Sequence, residues 1–178
     1  MKIFIKILFL FILISVTETG YSQTSKVISG STDFRVKFIF GTCHGTFDAP
    51  KGSAVFDDKN PAKASFNLTI TANTFKTGNN TRDKDMKSEK YFYVSKYPDI
   101  HFKSTKVEKK DGKYQATGSM TIRDISKTVT LPFEAKKNAD GSYVLSSTFE
   151  INRLDYKLGE KDFKLKDIVT VDLKAVIK

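Results

Sequence analysis

Apolar and polar residues alternate along most of the chain beyond residue 30. Phe34, Val36, Phe38 and Phe40 share one face of the stretch F-R-V-K-F-I-F. From Ala64 to Thr74 the alternation is strict, with Ala64, Phe66, Leu68, Ile70 and Ala72 set against Ser65, Asn67, Thr69, Thr71 and Asn73. A strand turns successive side chains to opposite faces, so each such run predicts a sheet with one buried side. Further runs keep period two: Ile100, Phe102 and Ser104; Tyr114, Ala116, Gly118, Met120 and Ile122; Val129, Leu131, Phe133 and Ala135; Tyr143, Leu145, Ser147, Phe149 and Ile151; and Val169, Val171, Leu173, Ala175 and Ile177. Asp111-Gly112 and Asp140-Gly141 are hairpin turn signals, and Asp124 to Lys127 makes another short turn. Two or three shorter strands lie between Gly30 and Phe56, broken by Gly41, Gly45, Pro50 and Gly52. The pattern predicts an all-β fold of about eight antiparallel strands. Several runs exceed the usual strand length of about five or six residues. Long, one-sided strands joined by hairpins favour a single up-and-down barrel, because closure removes the edges. A sandwich is the alternative.

One stretch breaks the alternation. "NNTRDKDMKSEKYF", residues 79–92, is dense in charge and ends in an aromatic pair. Met86, Lys90 and Val94 lie at helical spacing, Asn80 or Thr81 can cap, Asp83 sits in the first turn, and Pro98 stops the run. The spacing predicts one helix over 81–92, inserted between two strands, with Met86, Tyr91 and Phe92 turned inward. A barrel has open ends, and this helix is the natural lid for one of them. Arg82 and Asp83 have two readings. As structure, they clamp the helix start to the rim through charged hydrogen bonds; as function, Arg82 meets a polar head group at the mouth.

The N-terminus reads differently again. Lys2 and Lys6 flank an apolar run from Ile7 to Ile14, followed by small and polar residues through Gly20 and Ser22. That is a secretory signal peptide over 1–22, cleaved near Ser22 or Gln23, and the run is too short to span a bilayer. The remaining domain, 23–178, would then carry no stable membrane span, and the protein would be periplasmic or secreted. Its 156 residues suit one domain with a substantial core.

The net charge of +10 falls to +9 when the segment takes away Lys2, Lys6 and Glu18. Nucleic acid is not the expected partner. Only Arg35, Arg82, Arg123 and Arg153 supply the guanidinium that phosphate and base readers use, and lysines spread over strand exteriors serve to solvate a sheet. Cys43 is the only cysteine, so no internal disulfide forms. It is a buried filler or a free thiol. Neighbours on a strand face opposite ways, so Cys43 and His44 do not share an ion, and only His101 remains as a further imidazole. No metal or cofactor is expected.

The segments "TGNNTRDKDMKSEKYFYVSKYPDIHFKS", "GSMTIRDISKTVTLPFEA" and "FEINRLDYKLG", in that order, resemble the YceI-like proteins. The likeness runs from about Gly30 to the end. Its most specific parts are Thr77-Gly78 with Arg82-Asp83, the Tyr91-Phe92 pair, Tyr97-Pro98 with Phe102, and the turn before Lys127. Asp85 and Met86 stand where members of that family often carry histidine and leucine, so no role resting on that histidine carries over. The resemblance implies an exported, lipocalin-like barrel that binds long polyisoprenoid lipids. It implies a tunnel at the converging inward positions Phe66, Leu68, Ile70, Phe102, Met120, Ile122, Leu131, Phe133, Phe149 and Ile151. Arg82, Asp83, Met86, Tyr91 and Phe92 would form its lid or mouth.

Small inward residues, Ala64, Ala72, Ala116, Gly118, Ser147 and Ala175, are compatible with such a tunnel and also with a tapered, filled core. Three functions follow: a non-enzymatic binder or carrier of an isoprenoid or similar lipid, an envelope interaction module with a filled core, or an enzyme acting on an apolar substrate. No nucleophile–base relay is visible in the chain, which disfavours the last. Nothing in it specifies an oligomeric state.

N-terminal sequencing of the protein purified from its host envelope is expected to find a start near Gln23 or Thr24. An intact Met1 would show that the apolar run is retained as an anchor.

Overall fold

The computed structural model describes residues 25–178, and the expected signal segment 1–22 lies outside them. The elements are β1 (Ser25–Phe38), β2 (Gly41–Phe47), β3 (Lys51–Val55), β4 (Ser65–Thr71), α1 (Asn80–Lys87), β5 (Asp99–Lys110), β6 (Lys113–Ile122), β7 (Ile125–Lys137), β8 (Tyr143–Asn152) and β9 (Leu165–Ile177). All pairings are antiparallel. From β3 onward each strand pairs with the next, and β9 returns to pair with β1. β2 and β3 lie end to end along the other edge of β1, β2 against Thr32–Phe38 and β3 against Ser25 and Lys26. They share one place in the ring, interrupted at Asp48–Pro50. Among the described residues, nine strands therefore make a closed barrel of eight positions, with one α-helix inserted between β4 and β5.

Period two decides what faces inward. Along β6, Tyr114, Ala116, Gly118, Met120 and Ile122 are all buried, and the residues between them are not. A bulge in β5 between Ser104 and Lys106 shifts the parity, so that Val107 rather than Lys106 turns into the core. Gly118 sits opposite that bulge. A Cβ on it would lie 2.3 Å from the carbonyl oxygen of Lys103 and 2.7 Å from the Ser104 Cα. Of the two readings open for Gly118, the structure therefore favours packing: it admits a neighbouring backbone and does not leave room inside the barrel.

The barrel end that holds the β5–β6 and β7–β8 hairpins is plugged with rings. Phe56 stands edge-on to Tyr114, Phe133 and Tyr143 at centroid distances of 5.1, 5.7 and 5.2 Å, and Phe66 meets Phe133 at 5.4 Å. The Tyr143 hydroxyl donates to Asp58 at 2.9 Å and holds that carboxyl below its ordinary range. On the far side the ring is looser. The β7–β8 ladder covers only Glu134–Lys137 against Tyr143–Ser146. Pro132, just before it, has no N–H to extend a ladder.

The hairpin between β1 and β2 corrects a second expectation. β1 ends at Phe38, and Phe40 occupies the turn with 84% of its surface exposed, outside the inward row.

Gly118→Ala is expected to cost about 3 kcal/mol, because the added methyl meets backbone. Gly112→Ala should cost about 1 kcal/mol: Gly112 has φ +80° but open space around its Cβ position. Urea unfolding of both variants checks the order. Equal costs would mean that β5 yields at its bulge.

Candidate functional site

The interior is not filled. A cavity of about 600 Å³ runs through it, within the range of about 300–1,000 Å³ usual for ligand pockets. Phe66, Leu68 and Ile70 of β4, Phe102 of β5, Met120 and Ile122 of β6, Leu131 and Phe133 of β7, and Phe149 and Ile151 of β8 all line it. The structure thus brings together around one cavity the ten inward residues named for the tunnel. Leu68, Ile70, Leu131, Phe149 and Ile151 are only half-buried, since they face this space instead of packed neighbours.

β1 and β9 contribute as much wall: Phe34, Val36 and Phe38 on one, Leu165, Val169, Val171 and Leu173 on the other. Their parity was legible in the sequence, but their part in the cavity depends on β1 meeting β9. Cys43, half-buried on β2, also lines the cavity, while His44 is exposed. Among the described residues there is no cluster of three metal-ligating side chains.

The cavity ends at opposite chemistries. At the plugged end Phe66 and Phe133 line it. At the other, Asn79, Thr81, Arg82 and Asp85, on or beside α1, line it. Asn79, Thr81 and Asp85 are exposed residues, so the cavity reaches the surface there. The wall is apolar and the mouth is polar.

Local sequence explains the mouth. Asn79 caps α1, its side chain accepting from the Arg82 N–H at 3.0 Å. The cap is Asn79, one residue before the expected positions. Arg82 and Asp83 do not pair with each other directly; both hold Thr77. Arg82 Nε donates to Thr77 Oγ1 at 2.8 Å, and Asp83 Oδ1 accepts from the Thr77 N–H at 3.0 Å. The clamp is therefore between helix and preceding loop. Arg82 also lines the cavity, whereas Asp83 does not.

α1 ends at Lys87, five residues short of the expected helix over 81–92. The helix has no buried residue, so no apolar face draws it onward. The chain turns at Ser88, and the Phe92 N–H bonds back to Met86 O at 3.0 Å. The turn lets Phe92 drop into a cluster with Phe47 (5.6 Å) and Phe75 (5.8 Å), which Phe34 completes. Met86, Tyr91 and Phe92 all line the cavity. Pro98 plays no part in ending the helix.

The opposite rim rests on Arg153, which the sequence reading did not single out. It is 4% exposed and donates to the carbonyls of Leu158 (3.0 Å), Glu160 (2.8 Å) and Lys166 (3.2 Å) and to Asp167 Oδ1 (3.1 Å). One guanidinium thus folds the connection between β8 and β9 into a rim. Nearby, burial pushes the Tyr156 phenol up. The rim meets the lid where Gly159 admits the Tyr91 ring, 2.6 Å from its Cβ position, and bonds to Lys90 O at 3.0 Å.

Comparison with known proteins agrees with this architecture. The YceI-like domain model matches residues 22–177. A UPF0312 protein of Photorhabdus laumondii is 36% identical over 137 residues, which is 75% of this chain and 69% of that relative. A Yersinia pestis UPF0312 protein is 35% identical over 111 residues, 62% of this chain and 57% of its own length. Among solved structures, Burkholderia cenocepacia BcnA superposes with a TM-score of 0.78 at 22% identity, covering 83% of this chain and 95% of its own. A polyisoprenoid binding domain from Saccharophagus degradans superposes with a TM-score of 0.67 at 12% identity, covering 87% and 97%. At those identities the two structures speak for the fold alone.

Phe92→Ala is expected to lower stability by about 3–5 kcal/mol, since the ring is buried among three others. Asp85→Ala, at an exposed lip of the mouth, should stay within about 0.5 kcal/mol. Chemical denaturation of the two variants decides whether the lid is held by its aromatic or by its charged residues.

Proposed function

Because the chain belongs to the YceI-like domain family, we propose that it is an exported, non-enzymatic binder or carrier of a long-chain isoprenoid or similar amphiphilic lipid. The tail occupies the barrel cavity, against Phe66, Leu68, Ile70, Phe102, Met120, Ile122, Leu131, Phe133, Phe149 and Ile151. The head stays at the mouth beside Arg82, Asp83, Met86, Tyr91 and Phe92. The observation that carries this reading is the cavity itself, mostly apolar along its length and polar at its opening beside α1. Along β9 its lining runs from Leu165 to Ala175. Ten residues of strand rise about 33 Å, or about 25 Å along a barrel axis after the usual tilt. That shape fits one extended chain better than a compact metabolite. The name of the Saccharophagus domain is in keeping with such a ligand.

Burial drives binding in this reading. Each carbon added to the tail contributes up to about 0.8 kcal/mol, roughly fourfold in affinity, until the cavity is full. Arg82 adds a smaller, salt-sensitive term for an anionic head. Catalysis is not needed for a carrier, and most of the lining is supplied by aliphatic and aromatic side chains.

Isoprenoid alcohols of increasing length are expected to bind with rising affinity up to a limit, with little dependence on salt. Val171→Trp, a half-buried lining position, should shorten that limit while the fold survives. Gly118 is unsuitable for such a block, for the reason its backbone contact gives. Cys43 reports occupancy directly: as the only cysteine, lining the cavity, it should react with maleimide more slowly in the loaded protein. Weak, length-independent binding, unchanged by Val171→Trp and with no protection of Cys43, would move the function to the outer surface.

A further inference from the structure

Two turns at the mouth end break the usual chemistry of turns. β1 and β2 are joined by Ile39-Phe40, and the turn that starts β9 is Phe163-Lys164, between Asp162 and Leu165. Tight turns ordinarily carry Gly, Asn or Asp. Here Phe40 is 84%, Phe163 82% and Ile39 56% exposed, so these side chains add nothing to the core. A local rule broken without a gain in packing marks a place shaped by something outside the fold. The two turns also act as one unit, because the Ile39 N–H bonds to Lys164 O at 2.9 Å.

The position of this patch is informative. β1 runs antiparallel to β3, and β3 to β4, so β1 and β4 point to the same end. Both turns and α1 therefore stand on the mouth end. Phe38 and Leu165, the residues flanking the two turns, line the cavity.

Charge identifies the occupant. Over residues 37–40 and 160–167 the chain carries Lys37, Lys161, Lys164 and Lys166 against Glu160, Asp162 and Asp167. All four lysines are exposed; Lys161 pairs with Asp167 at 3.5 Å, while Lys37, Lys164 and Lys166 have no ion-pair partner among the described residues, and Asp162 accepts from the Lys164 N–H at 2.8 Å. Apolar tips projecting beside unpaired lysines are the arrangement that inserts into a lipid surface, rings among the acyl chains and ammonium groups at anionic head groups.

We propose that the Ile39-Phe40 and Phe163-Lys164 turns dock the barrel, mouth first, on an anionic phospholipid surface. Docked this way, the cavity opens toward the leaflet, so an apolar chain can pass between bilayer and barrel without crossing water. Docking itself does not depend on what the cavity holds.

Vesicle flotation tests it, using the protein without added cargo. The protein is expected to float with vesicles of phosphatidylglycerol and phosphatidylcholine, and to do so less as salt rises. Phe40→Ser with Phe163→Ser should lose at least tenfold in partitioning while its urea unfolding midpoint is unchanged. Lys37→Glu with Lys164→Glu should lose the preference for anionic vesicles. The chain has no tryptophan, so Phe40→Trp provides a single reporter whose emission should shift to the blue on vesicle addition. Absence of flotation, or flotation that survives the double serine change, overturns the proposal. So does a self-associated species in sedimentation that the serine changes dissolve, which would assign the patch to a second copy of this chain. Since Cys43 protection reads cargo separately, a failure of docking is distinguishable from a failure of lipid binding.

Discussion

The ladder from Val27 opposite Ile177 to Phe38 opposite Leu165 joins the first strand to the last. Until it forms, each hairpin is a two-sided ribbon whose apolar face meets water. Once it forms, every inward row faces the same interior, and the alternation along each strand acquires a common meaning. The cavity depends on it most directly, because β1 and β9 supply much of the wall. So does the patch at the mouth, since the same ladder brings the Ile39-Phe40 turn against Lys164.

Within that ring, the two ends differ through the size and polarity of a few side chains. At one end Phe56, Phe66, Tyr114, Phe133 and Tyr143 meet ring to ring. At the other, the insert between β4 and β5 covers the barrel without filling it. It is held by Phe92 in its aromatic cluster and by the Arg82 and Asp83 bonds to Thr77, and it leaves its polar side chains at the opening. The Arg153 carbonyl bonds hold the opposite lip in shape. A cavity crowded by rings at one end and polar at the other has a direction, and the reading of a tail inside with a head outside rests on that direction.

The strands, their faces and most of the lining were legible in the sequence because period two is a local property of each segment. Ala64 to Thr74 announces its buried face without help from any other strand. The extent of α1 was not legible. Met86, Lys90 and Val94 have helical spacing, yet the aromatic cluster of Phe34, Phe47 and Phe75 draws Phe92 out of helical register, and those partners come from three distant segments. Phe40 was misplaced for a related reason. Alternation continues through it on paper, but the hairpin turns one residue after Phe38.

The sequence by itself determined the fold class, the inward rows and the polar insert, since these follow from spacing along the chain. Only the tertiary structure decided that the interior holds a cavity, that Gly118 is a backbone contact and not a gap, and that Arg153 builds the rim. These are questions of volume and of donors meeting acceptors between residues far apart in the chain. Residual volume depends on ring closure, on the bulge in β5 and on how far apart β7 and β8 stand, and no local pattern encodes those distances.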